Sequence, residues 1–224
     1  MRRQHTNSTA GAPNGKFGFK ATADFIVATL PLPFMSITKP GERKLQILQA
    51  LAGMLENPKS EKITTAALAA KIDVSEATLY RHFASKAQMF EGLIDFIESS
   101  VFGLINQISQ QHKDGIEQAH SISLMLLSFA ERNPGMTRVL IGDALVNEDE
   151  RLQARMNQFM DRVELAYKQA LRQAGIQGQV AEAEIVMRAN LLTIFVLGRW
   201  QRFAKTGFKA SPTEGASAQL ALLL

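Results

Sequence analysis

The sequence predicts an all-α protein: a small helix-turn-helix head followed by a larger helical body of about nine helices in total. Three observations carry that prediction. Residues 63–86, ITTAALAAKIDVSEATLYRHFASK, hold two short capped helical signals around a tight polar turn. Residues 42–56 supply an amphipathic helix that completes a three-helix head. From Lys86 onward, apolar residues recur at helical spacing in long segments with short breaks.

Residues 1–40 are rich in Gly, Pro, Ser, Thr and Asn, a composition expected to hold little fixed structure. They also carry most of the basic excess. Residues 1–44 contain seven Lys/Arg against two Asp/Glu, so of the formal +4 the rest of the chain contributes −1. A basic arm beside such a head favours DNA electrostatically. The string GAPNGKF (11–17) is no phosphate loop. It has three residues between its glycines instead of four, and Phe17 where a Ser or Thr would hold magnesium. Met35 directly precedes the head and is a candidate true start, with 1–34 an over-extended reading frame. The head is expected over 41–86 and the body over 87–224.

The first head helix, ERKLQILQALAGMLE (42–56), places Leu45, Leu48, Leu51, Ala52 and Leu55 on its core side. Arg43 and Lys44 near its start can reach backbone phosphates, and Asn57-Pro58 ends it. Thr64 or Thr65 then caps a short helix with Leu68, Ala69 and Ile72 on one face. Asp73-Val74-Ser75 breaks it, and Ser75 caps a second helix running from Glu76 to Phe83. The alanines of AALAA permit a close crossing, with Val74, Leu79 and Phe83 as the wedge between the helices. This is the pattern of a helix-turn-helix, whose second helix enters the major groove with its N-terminal residues facing base edges. The expected DNA-contacting set is Thr64, Thr65, Ser75, Glu76, Ala77, Thr78, Tyr80, Arg81, His82 and Lys86. Ser75, Glu76 and Thr78 stand nearest the bases. Tyr80, Arg81 and His82 carry donors suited to phosphate oxygens, and Lys86 adds a charge at the next helix N-terminus. The competing reading, an ordinary helical hairpin, leaves Tyr80 and His82 as half-buried surface residues.

In the body, residues 86–112 carry Met89, Phe90, Leu93, Ile94, Ile97, Val101, Leu104, Ile105 and Ile108 at helical spacing. Residues 115–132 contain SLMLLSF, apolar nearly all round and therefore central. Asn133 is expected to cap the next helix, with Pro134 at its first position and its end near Val146. A charged helix follows over 148–174, closed by Gly175. Residues 181–205 contain LLTIFVLGRW, and 212–224 form a closing helix. The run at 190–200 exceeds what one small bundle covers, which predicts a two-fold homodimer through this segment and the last helix.

Composition excludes several function classes. The chain has no cysteine, which removes disulfides, thiolate metal sites and cysteine nucleophiles. No apolar run approaches the ~20 residues needed to span a bilayer; the longest, 121–130 and 190–198, are about half that. Met1-Arg2-Arg3 with FIVATLPLPFM (25–35) makes a poor secretory signal, given Asp24, two prolines and the polar stretch between. A cytoplasmic, nucleoid-associated location is expected. His5, His82, His112 and His120 form no ligand-spaced pair with Asp or Glu, so neither a metal nor another cofactor is expected. Without a nucleotide loop, nucleophile elbow or acid/base carboxylate pair, the chain does not read as an enzyme.

The order T-x-x-x-L-A-x-x-x-x-V-S-x-x-T-L-Y-x-H-F-x-S-K resembles the DNA-binding domain of TetR-type regulators. That resemblance implies an all-α TetR-like fold in which C-terminal helices pair two subunits. Two heads would then read a near-palindromic site with recognition helices about 34–36 Å apart. Within that class, FAERNPGMTRVLIGDAL (129–145), residues 63–98 and RFAKTGFKASPTE (202–214) are similar to the nucleoid occlusion factors. Members of that family hold chromosomal DNA in their heads while their bodies bind the C-terminal tail of FtsZ, disrupting its polymers over the nucleoid. Carried across, the tail would lie between helices 86–112 and 115–132, against Phe96, Met125, Ser128, Arg132 and Asn133. An apolar trough with a guanidinium and an amide at its rim suits an acidic, partly apolar tail. Leu104 stands where the family commonly has arginine, and Ser128 where it often has glycine, so capture of an acidic tail is expected to be weaker. By pattern alone, Phe96 equally suits the core beside Leu93 and Ile97, and Arg132-Asn133 equally suits a helix end and cap. Two other functions compete: a TetR-type repressor with a small-molecule inducer, and an architectural DNA protein without a partner.

Overall fold

The computed structural model describes residues 42–57 and 63–224. Expectations for residues 1–40, Met35 included, and for Pro58 lie outside them. Among the described residues there are nine α-helices and no strand. The head is α1 (Glu42–Leu55), α2 (Thr65–Lys71) and α3 (Glu76–His82). The body is α4 (Lys86–Gln111), α5 (Gly115–Arg132), α6 (Pro134–Leu140), α7 (Glu150–Ile176), α8 (Ile185–Lys205) and α9 (Ala216–Leu223).

Side chains and glycines set most of the helix ends. Asp114 accepts from the Glu117 N–H at 2.9 Å and starts α5, while Asp149 accepts from Arg151 N–H at 3.1 Å and starts α7. The expected stop at Gly175 is not used. Helix α7 runs on to Ile176, and the turn comes at Gly178, whose φ of 75° suits a residue without Cβ. Nor does α6 reach Val146. It ends at Leu140, because Gly142 (φ 77°) turns the chain into a 3-10 turn at Asp143–Leu145.

Helix α5 is the centre of the body. It packs against α4, α6, α7, α8 and α9, which accounts for its burial on nearly every side. Ser123 within it shares a buried hydrogen bond with the Tyr167 hydroxyl at 2.8 Å, so the polar groups of this core are paired. Trp200 of α8 is fully buried, and its indole N–H donates to the Leu126 carbonyl at 3.2 Å. Helix α4 is strapped to α7 by ion pairs from Glu91 to Arg151, and from Asp95 and Glu98 to Arg155. The Arg162 guanidinium lies 3.7 Å over the Phe102 ring beside them.

The head is seated through α1. Its buried residues are Ile47, Leu51, Ala52 and Leu55, whereas Leu45 and Leu48 are only half-buried. The buried stripe is therefore rotated from the expected one. Its cause is a second neighbour: α1 packs on α6 as well as on α2, α3 and α4. Gly135 makes that crossing possible, since a Cβ there would collide with the Ala52 carbonyl oxygen. Arg138 donates to the Leu55 carbonyl at 3.3 Å and to Asp143 at 2.8 Å.

Candidate nucleic-acid interface and partner surface

The turn between α2 and α3 is built from local hydrogen bonds. Thr64 is the N-cap of α2, its hydroxyl accepting from Ala67 N–H at 3.1 Å. At the other end Asp73 adopts φ 53°, and Val74 N–H donates to the Ala69 carbonyl at 3.1 Å. An aspartate tolerates this left-handed conformation better than most residues, and it stops α2 after two turns. Ser75 then caps α3, accepting from Thr78 N–H at 3.2 Å, and the two hydroxyls lie 3.0 Å apart. Leu79 and Phe83 are buried beneath, with Val74 half-buried between the helices.

What remains on the outer face is polar. Thr64, Ser75, Glu76, Ala77, Tyr80 and Arg81 are exposed, and Thr65, Thr78 and His82 are half-exposed. Tyr80 retains 46% of its surface. The Thr65 hydroxyl donates to the Glu76 carboxylate at 2.5 Å, and the Tyr80 hydroxyl donates to Thr65 at 3.4 Å. Three residues expected to contact DNA separately thus form one cluster, with Glu76 bracing the two helices. Lys71, at the end of α2, adds an exposed cation that the motif pattern did not single out.

Lys86 has a partner that the sequence did not suggest. Its ammonium is paired with the Glu148 carboxylate, and both side chains are largely buried, at 21% and 12% exposure. It also lies 5.6 Å from the Phe90 ring centroid. Sequence reading missed Glu148 because it stands 62 residues away, with no local pattern linking the two.

On the body, α4 and α5 are packed neighbours joined by residues 112–114, so they run in opposite directions. Phe96 and Ser128 are half-buried, and Arg132 is exposed at the end of α5. Met125 differs from expectation: at 6% exposure it belongs to the core. It lies one turn from Ile122 and Phe129 on the inward side of the central helix, so of the two apolar residues expected in the trough only Phe96 keeps part of its surface. Asn133 stands at the junction as the N-cap residue of α6, its carbonyl accepting from Thr137 N–H at 2.9 Å. Its amide donates back to the Phe129 carbonyl at 2.7 Å, closing α5, and its side chain makes no capping bond to α6. Glu131 next to Arg132 accepts from Thr213 at 2.8 Å and from Ser211, tying this end of α5 to the loop before α9.

The outer face of α8 carries Val186, Met187, Leu191 and Ile194, each exposed by 42% or more. No helix among the described residues is long and apolar enough to cross a membrane, and no group of metal-ligating side chains occurs among them.

Comparison with known proteins agrees with this architecture. Residues 61–93 match the family of bacterial regulatory proteins of the tetR type, and residues 113–224 match a tetracyclin repressor-like C-terminal domain. In fold, the chain is similar to a TetR transcription regulator from Haloarcula marismortui. The TM-score is 0.70 at 15% identity, over 82% of this chain and 97% of that one. In sequence, it is 47% identical to the nucleoid occlusion factor SlmA of Alteromonas mediterranea, over 84% of this chain and 96% of that protein. It is 49% identical to SlmA of Idiomarina loihiensis, over 79% and 91% respectively. A capped helix-turn-helix, an all-helical body and this degree of identity along nearly the whole of those relatives lead to one conclusion: the chain belongs to the SlmA family of TetR-type nucleoid occlusion factors.

Proposed function

We infer that the protein is a DNA-bound homodimer that acts in nucleoid occlusion, holding chromosomal DNA through two heads and capturing the C-terminal tail of FtsZ on its body. The observation that carries the reading is the exposed, capped face of α3 in a chain of the SlmA family. Two such heads on a two-fold axis suit a near-palindromic duplex. The apolar stripe of α8 supports pairing of the two subunits, since Met187, Leu191 and Ile194 recur at helical spacing facing away from the core.

For the tail, the reading rests on Phe96, Ser128, Arg132 and Asn133, with Met125 withdrawn into the core. Leu104, half-buried on α4, offers no cation to an acidic segment, which leaves Arg132 as the side chain in this set that carries charge. Capture of an acidic tail is therefore weaker than an arginine in place of Leu104 would give. The alternative reading, a repressor with a small-molecule inducer, needs an enclosed cavity within the body. Trp200 speaks against that, since it fills the space between α8 and α5 and is bonded to the Leu126 carbonyl.

Sedimentation of FtsZ polymers with the protein, with and without its bound duplex, tests the reading. DNA-dependent loss of polymer mass is expected, and the same polymer mass under both conditions would overturn it. Mapping of bound chromosomal sites separates the alternatives: many dispersed sites suit chromosome guarding, whereas one or two promoter sites suit a repressor.

A further inference from the structure

We propose that Glu148 sets the DNA affinity of the head, by occupying in the free protein the Lys86 ammonium that a backbone phosphate takes in the complex. The inference rests on the interface reading above. Lys86 is the first residue of α4, directly after its Ser85 cap, where a helix N-terminus and a cation together suit a phosphate. Among the described residues, Lys71 and Arg81 form no ion pair. Lys86 alone among the cations of the expected contact face is matched to a carboxylate.

The carboxylate is delivered by a constrained segment. Gly142 and Asn147 adopt φ 77° and 65°, and Glu148 N–H donates to the Leu145 carbonyl at 3.0 Å. Asp143 in the same segment is held by Arg138 at 2.8 Å and Lys205 at 2.6 Å. Asp149, the next residue, is committed as the N-cap of α7. The backbone that carries Glu148 is therefore held beside Lys86 from both ends of the loop. One ammonium with much of its surface buried cannot fully serve two anions. A phosphate approaching Lys86 either displaces Glu148 or meets its repulsion, and in both cases Glu148 lowers affinity.

Glu148→Gln tests this, because the amide keeps the shape and an acceptor oxygen for Lys86 while removing the charge. The probe is a duplex selected against the wild-type protein, titrated by fluorescence anisotropy between about 50 and 200 mM salt. Affinity is expected to rise about threefold per head, hence about tenfold for a two-headed dimer. The salt dependence is expected to steepen by about one unit per head, the signature of an added phosphate contact. In a Lys86→Gln background the same substitution is expected to change neither quantity.

Unchanged affinity and slope in Glu148→Gln would overturn the proposal. So would weaker binding, which would make the pair a strut that orients the head. Thr64→Ala is measured in parallel to keep the two failures apart. If Thr64→Ala weakens binding and Glu148→Gln does not strengthen it, only the present inference falls. If Thr64→Ala leaves binding unchanged, the interface reading falls and takes this proposal with it.

Discussion

The Thr64 hydroxyl closes the first turn of α2, and the proposed interface gives it a phosphate to face as well. Its side chain satisfies the Ala67 N–H, so Thr64→Ala is expected to lower stability by about 1 kcal/mol. It should weaken DNA binding by more than that loss explains, with the helical circular dichroism spectrum retained. Equal DNA affinity would place the contact elsewhere. Asp143 offers a second single-residue test. Burial pushes its carboxyl up, but hydrogen bonds from Lys205 and Arg138 outweigh this and hold it below the ordinary carboxylate range. A depressed native value means the stabilisation is present above the unfolded value and disappears as pH falls through the native one. Asp143→Asn is therefore expected to lower the melting temperature at neutral pH. The difference from wild type should narrow below about pH 4. A gap that persists in acid would show that charge is not the cause. Lys86 and Glu148 mark where residue-level reading stops, since neither side chain announces the other across a separation of 62 positions.

At the level of elements, local pattern located α2, α3, α5 and the start of α4 with little error, because capping and apolar spacing act within a few residues. Misplacements occurred where two elements meet. Helix α1 turned Ile47 inward because α6 crosses it, and α6 stopped early because Gly142 redirects the chain. Helix α7 passed through Gly175, whose lack of Cβ is harmless there, and ended at Gly178, where positive φ is required. Gly135 shows what a crossing demands. Gly135→Ala would force a methyl against the Ala52 carbonyl, a clash expected to cost about 1–3 kcal/mol. Thermal unfolding measures the loss. An unchanged melting temperature would mean that α1 and α6 separate more easily than their packing implies.

For the whole molecule, the apolar face of α8 is the surface that the proposed pairing of subunits covers. Met187, Leu191 and Ile194 stand outward, on the opposite side from Leu192, Val196 and Trp200, which are buried. Placing a charge in that stripe with Ile194→Asp is expected to shift the protein from dimer to monomer in analytical ultracentrifugation while each monomer keeps its helical content. DNA affinity should fall steeply with it, since a two-fold site needs both heads. A variant that remains dimeric would move the interface to another face. The proposed partner surface belongs to this scale as well. Phe96, Ser128 and Arg132 come from two helices, and burial of Met125 was decided by how deeply α5 sits among five neighbours.

By itself, the sequence determined the helical class, the capped turn at Thr64 to Ser75, the centrality of α5 and the absence of thiol chemistry. Each of these depends on residue type and short-range spacing alone. Only the tertiary structure decided that Met125 is core, that the Asn133 side chain bonds back to α5 while its carbonyl opens α6, that α1 buries Ile47, and that Lys86 is answered by Glu148. The reason is physical. Burial and charge pairing depend on which segments meet in space, and a one-dimensional pattern carries the period of a face without the identity of what packs against it.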